Sequence, residues 1–169
     1  MTSFQYAISK DIQRDVIAAA NLYESCISIG GPLDAFINLA FLYWQSTEYG
    51  FNAAYNLPIA FIHKSGERYS RILDLGMTAF PSSKELVFWD RYFAFVSLGD
   101  DFSPEECEGY VEAPDHLIPY FFLRSLPIGT RYHEPADRLL QQCRLLPTLK
   151  NSYIVSVLES NACFKSRKR

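Results

Sequence analysis

Apolar residues recur every three or four positions through most of the chain, a spacing that predicts amphipathic helices. The clearest case is Phe36, Leu39, Ala40 and Tyr43, which fall on one helical face at offsets 0, 3, 4 and 7. A small residue among large ones lets a neighbouring helix approach closely. No segment keeps the alternation of a half-buried strand, and no hairpin signal separates apolar runs. The predicted fold class is therefore all-α.

Glycine and proline residues divide this pattern into seven or eight predicted helices. They cover about 10–29, 33–47, 58–79, 82–98, a short helix from 103 that Pro114 ends, and about 115–126, 135–146 and 148–160. An aromatic connection over residues 49–57 joins the second to the third. We expect residues 1–164 to form a single helical domain and the basic residues 165–169 to form a flexible tail.

The helical face that starts at Phe36 resembles the first helix of a tetratricopeptide repeat, a helical hairpin of about 34 residues. The helix before it is similar to the second helix of that repeat, with Ala19 and Cys26 at the small positions and Tyr23 at the aromatic one. The resemblance implies antiparallel hairpins stacked in a right-handed, tetratricopeptide-like arrangement. It also implies a non-enzymatic protein that binds another protein.

The next helices follow the repeat in part. Leu73 and Gly76 keep the spacing of the aromatic and small positions, but the interval from Phe36 to the closing proline exceeds the standard one by 17 residues. Further along, Trp89 and then Tyr92 three places later are similar to the related half-a-tetratricopeptide pattern. We therefore expect degenerate hairpins and no regular array.

Length and composition indicate one globular domain, with 49% hydrophobic and 21% charged side chains in 169 residues. The N-terminus lacks a basic segment leading into an apolar one, and no stretch approaches the roughly 18 apolar residues that span a bilayer. The cysteines stand singly, at Cys26, Cys107, Cys143 and Cys163. These features predict a cytoplasmic protein with free thiols and no membrane partner.

Negative charge concentrates in one segment. The last five residues hold four of the 16 Lys and Arg, so residues 1–164 carry 12 of them against 19 Asp and Glu, a net charge of −7. Residues 92–123 contain no Lys or Arg. On a helix that Ser103 caps, Glu105, Glu108 and Glu112 fall at offsets 0, 3 and 7 on one face. Such a face is either simply solvated or steers a basic partner.

The aromatic connection also has two interpretations, because its rings either pack beneath a loop as a small satellite core or anchor an interface. Together the two segments supply the predicted partner-binding residues: Tyr49, Phe51, Tyr55, Asp100, Asp101, Glu105, Glu108, Glu112 and Asp115. The basic tail is too short to indicate nucleic-acid binding on an acidic body.

Sequence motifs of catalysis are missing, with no nucleophile elbow, phosphate-binding glycine loop or dinucleotide fingerprint. The alternative function is a metal-assisted hydrolase that would use Asp115, His116, His133 and Glu134, since two histidines and two carboxylates suit a divalent ion. Our main prediction is a protein-binding module, such as an inhibitor, chaperone or adaptor, with no cofactor. An immunity protein that neutralises a basic toxin is one specific case.

Overall fold

A computed structural model describes residues 1–112 and 116–166, with side chains as far as residue 161. Over these ranges the regular secondary structure is helical apart from an isolated bridge between Glu112 and His116, which confirms the all-α class. Ten α-helices are found there: α1 (Ser3–Ile12), α2 (Val16–Ser28), α3 (Leu33–Ser46), α4 (Tyr49–Ala54), α5 (Ile59–Ala79), α6 (Lys84–Leu98), α7 (Pro104–Glu108), α8 (Tyr120–Ser125), α9 (His133–Leu145) and α10 (Leu149–Ser166). A 3-10 helix, Gly129–Tyr132, precedes α9.

The helices gather into two compact units, Met1–Asp90 and Arg91–Arg169, and the boundary falls within α6. The single domain over residues 1–164 and the right-handed tetratricopeptide-like stacking stay predictions.

Helix α3 forms the core of the first unit. Every residue from Ala35 to Trp44 is buried, including the four that the sequence placed on one face. Helix α5 packs against α3 in the antiparallel direction, because Phe36 contacts Phe80 at a ring-centroid distance of 5.7 Å while Tyr43 contacts Phe61 at 6.0 Å. The predicted face is therefore part of the core.

The predicted first helix is wrong in one respect, because the structure has two helices there. Gln5 N donates to Thr2 Oγ1 at 3.2 Å and Thr2 N donates to Gln5 Oε1 at 2.8 Å, a capping box that begins α1. The helix ends where Arg14 adopts a left-handed backbone (φ 63°) and the N–H of Asp15 bonds to the carbonyl of Lys10 at 3.0 Å. Apolar periodicity continues across this break and so conceals it.

Aromatic side chains pack the second unit. The ring of Tyr92 contacts the rings of Phe121 and Phe122 at 5.1 and 5.9 Å, and Phe102 stacks on Phe122 at 4.9 Å. The hydroxyl oxygens of Tyr92 and Tyr153 lie 2.6 Å apart and share a hydrogen bond. Helix α10 packs against both α8 and α9.

Prolines set two helix boundaries in this unit, and the first of them differs from the prediction. The helix expected over 115–126 begins only at Tyr120, directly after Pro119, which lacks the N–H of a helix interior. Helix α9 ends at Leu145, within one residue of the predicted limit, and Leu146 follows it in an extended conformation and is half-exposed, because the residue before a proline disfavours helical geometry.

At the C-terminal end, α10 continues to Ser166, beyond the predicted limit of residue 160. The first two residues of the predicted basic tail are thus helical, and residues 167–169 lie outside the described part of the chain. Cys26 and Cys107 are buried free thiols, as expected.

Candidate functional site

Residues 49–54 form a short helix, α4, within the aromatic connection that the sequence predicted over residues 49–57. No residue of α4 is buried, and Tyr49 is 84% exposed. The rings of Phe51 and Tyr55, one helical turn apart, have centroids 4.6 Å apart and planes inclined at 41°. This exposure favours the interpretation of the rings as interface anchors over the satellite core.

A carboxylate lies at the start of the helix that carries the ring pair. Glu48 is the N-cap residue of α4, with an extended backbone, and it precedes Phe51 by three residues in the chain. The side chain of Glu48 is exposed and has no partner among the described residues. Glu48 was not among the predicted site residues, although its position directly before the aromatic residues is visible in the sequence.

A groove of about 170 Å³ lies beside Tyr55. Its apolar part comes from the start of α2 and from the residues that follow α4, and its polar part from the break between α1 and α2. The lining residues are Arg14, Asp15, Val16, Ile17, Tyr55 and Leu57. Apart from Tyr55, none of them was predicted as a site residue, because only the tertiary fold brings the two stretches together.

Charges in the groove wall are paired within the chain. Arg14 Nη1 donates to the backbone carbonyl of Asp11 at 3.1 Å and lies 3.7 Å from its carboxylate. Asp11 is only 1% exposed and accepts a 2.9 Å hydrogen bond from the hydroxyl of Tyr23. Asp15 pairs with Lys10 at 3.1 Å. The groove therefore offers an apolar surface without an excess of positive charge.

The backbone at this groove is unusual. Among the described residues, only Arg14 and Asn56 are non-glycine residues with positive φ, at 63° and 48°. Each closes a helix through a bond from the following N–H to a carbonyl five residues earlier, at 3.0 Å to Lys10 and 2.9 Å to Asn52. Two helix ends thus fix the shape of the groove.

The acidic segment differs from its prediction. Ser103 caps α7 as expected, since its Oγ accepts from Glu106 N at 3.1 Å. However, α7 ends at Glu108, so Glu112 does not share a helical face with Glu105, and its backbone pairs with that of His116. Gly109 follows the last helical residue directly, which is a common signal for helix termination. The predicted row of three glutamates on one helix is wrong.

Arginine side chains from outside the segment neutralise part of it. Arg91 Nε donates to Glu106 Oε1 at 2.6 Å, and Arg91 Nη1 lies 3.6 Å from Asp100 Oδ2. Hydrogen bonding from Arg91 lowers the pKa of Glu106 below its usual value. Glu108 binds both Tyr132 and Arg131, and the hydrogen bond from Tyr132 is the main cause of its lowered pKa.

Two carboxylates of the segment stay open to solvent. Asp101 and Glu105 are exposed, and neither side chain has a partner among the residues that the structure describes. Asp115, also a predicted binding residue, lies outside the described ranges. Any contribution of the segment to binding would therefore depend mainly on Asp101 and Glu105.

The alternative metal site used His116 and His133. In the structure His116 Nε2 lies 3.8 Å from Glu112 Oε2, and His133 Nε2 lies 3.3 Å from Asp137 Oδ2. Each histidine thus pairs with a carboxylate four residues away. Over residues 1–112 and 116–161 no three His, Cys, Asp or Glu side chains converge as metal ligands. The hydrolase stays a prediction that no contact in these ranges supports.

Comparison with known proteins finds no protein family, no curated protein and no solved structure that matches this chain. None of the helices in the described ranges has both the length and the apolar character needed to cross a membrane.

Proposed function

We propose that this protein is a non-enzymatic protein-binding module that recognises a basic protein partner. The observation that carries the proposal is the exposure of α4, a helix without a buried residue whose aromatic side chains face solvent. Aromatic residues dominate the energetics of protein interfaces because they bury a large area at a low cost in side-chain entropy. Water-exposed rings at Tyr49 and Tyr55 are suited to that role.

Charge supports the choice of a basic partner. Residues 1–164 carry a net charge of −7, which favours association with a cationic protein through long-range attraction. Asp101 and Glu105 would add local contacts, whereas Glu106 and Glu108 already bind arginine side chains of this chain. The acidic segment therefore acts mainly on the rate of association.

Within this class the protein is an inhibitor, a chaperone or an adaptor. An immunity protein that neutralises a basic toxin is the specific case that best fits an acidic protein with exposed aromatic anchors. For every member of this class, we propose that the protein acts in the cytoplasm.

Affinity capture of the tagged full chain from its source cell, followed by mass spectrometry, tests the proposal. We expect a stoichiometric basic protein that is lost with Tyr49→Ala/Tyr55→Ala. Since no residue of α4 is buried, these changes should leave the fold intact, which circular dichroism can check. Recovery of no stoichiometric protein, or equal recovery with the double variant, contradicts the proposal.

A charge reversal separates the contribution of the acidic segment. Asp101→Lys/Glu105→Lys should slow association with the captured protein about tenfold at low salt, and the difference should shrink at high salt. Glu67→Lys/Asp74→Lys, a pair of equally exposed acidic residues on α5, is the matched control because it changes the net charge by the same amount. Equal effects of the two double variants would show that net charge alone is responsible.

A further inference from the structure

We propose that the face of α4 that carries Phe51 and Tyr55, together with Glu48 at the start of the helix, is a binding site for an arginine side chain. This site rests on the proposed function and names the partner group that it recognises. Aromatic ring faces attract cations, and a planar guanidinium stacks on them better than an ammonium does. A carboxylate one turn away adds an opposite charge.

The geometry of the ring pair suits this ligand. The ring centroids of Phe51 and Tyr55 lie 4.6 Å apart and their planes are inclined at 41°, so the two rings contact each other at an angle and are not stacked in parallel. Neither ring is buried. A guanidinium placed over either face lies within the roughly 6 Å at which cation–π attraction acts.

Charge complementarity identifies the occupant as a cation. Glu48 has no partner among the described side chains, so binding a cation there breaks no existing ion pair. Arg14, which lines the groove, pairs with Asp11, and Lys10 pairs with the groove residue Asp15, so neither of these cations is paired with Glu48. An anionic group would instead meet an unpaired carboxylate.

The groove beside Tyr55 accepts the rest of the side chain. Its apolar wall consists of Val16, Ile17 and Leu57, and its volume of about 170 Å³ matches a few methylene groups or one small apolar neighbour. Arginine buries its methylene stem on apolar surface while its charged head stays at the edge. The face of α4 and the groove are thus parts of one site.

Titration of the isotopically labelled full chain with a capped pentapeptide that contains two arginines tests the site without knowledge of the partner. Amide NMR shifts should change in a saturable way at residues 14–17 and 48–57. Lysine in place of arginine should weaken binding about two- to fivefold. Neutral citrulline, which keeps the shape of arginine, should abolish it.

Variants decide whether these residues carry the binding. We expect affinity for the arginine peptide to fall about two- to fivefold in the double variant Phe51→Leu/Tyr55→Leu and by a similar factor in Glu48→Gln. Tyr6→Leu, an exposed tyrosine on α1, is the matched control and should bind normally. Because Glu48→Gln keeps both rings, weaker binding by this variant cannot be caused by a loss of ring packing. Equal affinity for the citrulline peptide, unchanged binding by both variants, or shifts confined to residues 100–112 would overturn the site.

The two experiments distinguish failure of the arginine site from failure of the proposed protein-binding function. If a partner is captured through Tyr49 and Tyr55 but the chain shows no selectivity for arginine, the proposal of a protein-binding module stands and the proposed arginine site is wrong. If the amide shifts are selective for arginine but no protein is captured, the arginine site stands and the proposal of a protein-binding module is contradicted.

Discussion

Tyr43 on α3 donates a 2.6 Å hydrogen bond from its hydroxyl to Glu24 on α2. The same carboxylate accepts hydrogen bonds from Lys64, at 3.1 Å, and from Arg68, both on α5. Lys64 also lies 5.7 Å above the ring of Tyr43. The Glu24 side chain therefore links three helices of the first unit, α2, α3 and α5.

Replacement of Tyr43 by phenylalanine should lower the free energy of unfolding by about 1–2 kcal/mol, because a hydrogen bond to a charged group is lost while the ring stays packed against Phe61. Urea denaturation measures the change. Tyr6→Phe is the control, since Tyr6 is exposed and its hydroxyl has no partner among the described residues. Equal stability of the two variants would show that the bond contributes nothing.

Stability should also depend on pH through Glu24. Burial disfavours its charged form, but the hydrogen bonds from Tyr43 and Lys64 outweigh burial and lower its pKa below the ordinary value of 4.5. A carboxyl with a lowered folded-state pKa stabilises the protein fully above its unfolded pKa, and the contribution disappears as pH falls through the folded value. We therefore expect stability to decrease as pH falls below about 4.5.

The variant Glu24→Gln isolates this effect, because it has no proton to gain. Unfolding free energies measured between pH 6 and pH 3 should fall less steeply for the variant than for the natural chain. Parallel curves would assign the acid sensitivity to other carboxyls, of which Glu106 is the next candidate because its pKa is lowered too.

Neighbouring glutamates on α7 should respond differently to the same substitution. Glu106→Lys breaks the contacts with Arg91 and with the hydroxyl of Tyr110, so we expect a loss of about 1 kcal/mol. Glu105→Lys, one residue away and without a partner among the described side chains, should change stability little. Thermal or urea unfolding of both variants checks this, and an equal loss would mean that the pair with Arg91 is not stabilising.

Local signals in the sequence account for the long helices. Pro58 sets the start of α5 and Gly30 the end of α2, because proline suits the first turn of a helix and glycine adopts the left-handed backbone that ends one. The break at Arg14 escaped prediction because an arginine occupies a conformation that glycine normally takes. Helix ends were therefore predictable where the usual residue is present.

The candidate site was predictable only in part, for a different reason. The sequence displays the aromatic residues Tyr49 and Tyr55, but it left open whether their rings are buried or exposed, and only the structure shows that they are exposed. The pairing of Glu106 with Arg91 and of Glu108 with Arg131 joins residues 15 and 23 positions apart, and the packing of helices determines it. The sequence therefore suggested more unpaired carboxylates for partner binding in the acidic segment than the structure has.

Gly76 on α5 provides the sharpest test of the packing of α5 against Phe36 on α3 and Leu86 on α6. A methyl group there would lie 2.9 Å from Leu86 Cδ2 and 3.2 Å from Phe36 Cβ, so its neighbours would have to move. Gly66, on the same helix, would place a methyl group 3.7 Å from Thr47 Cγ2, which is an ordinary contact. Both glycines lie within a helix, where alanine is favoured by about 0.5–1 kcal/mol.

We therefore expect opposite signs from two identical substitutions. Gly66→Ala should raise the free energy of unfolding by about 0.5–1 kcal/mol through helix propensity alone. Gly76→Ala should lower it by about 1–2 kcal/mol, because overpacking outweighs the same gain. Urea denaturation of both variants measures the difference. If Gly76→Ala proves as stabilising as Gly66→Ala, then α5 does not approach Phe36 as closely as described, and the small residue that the sequence placed at position 76 has no packing role.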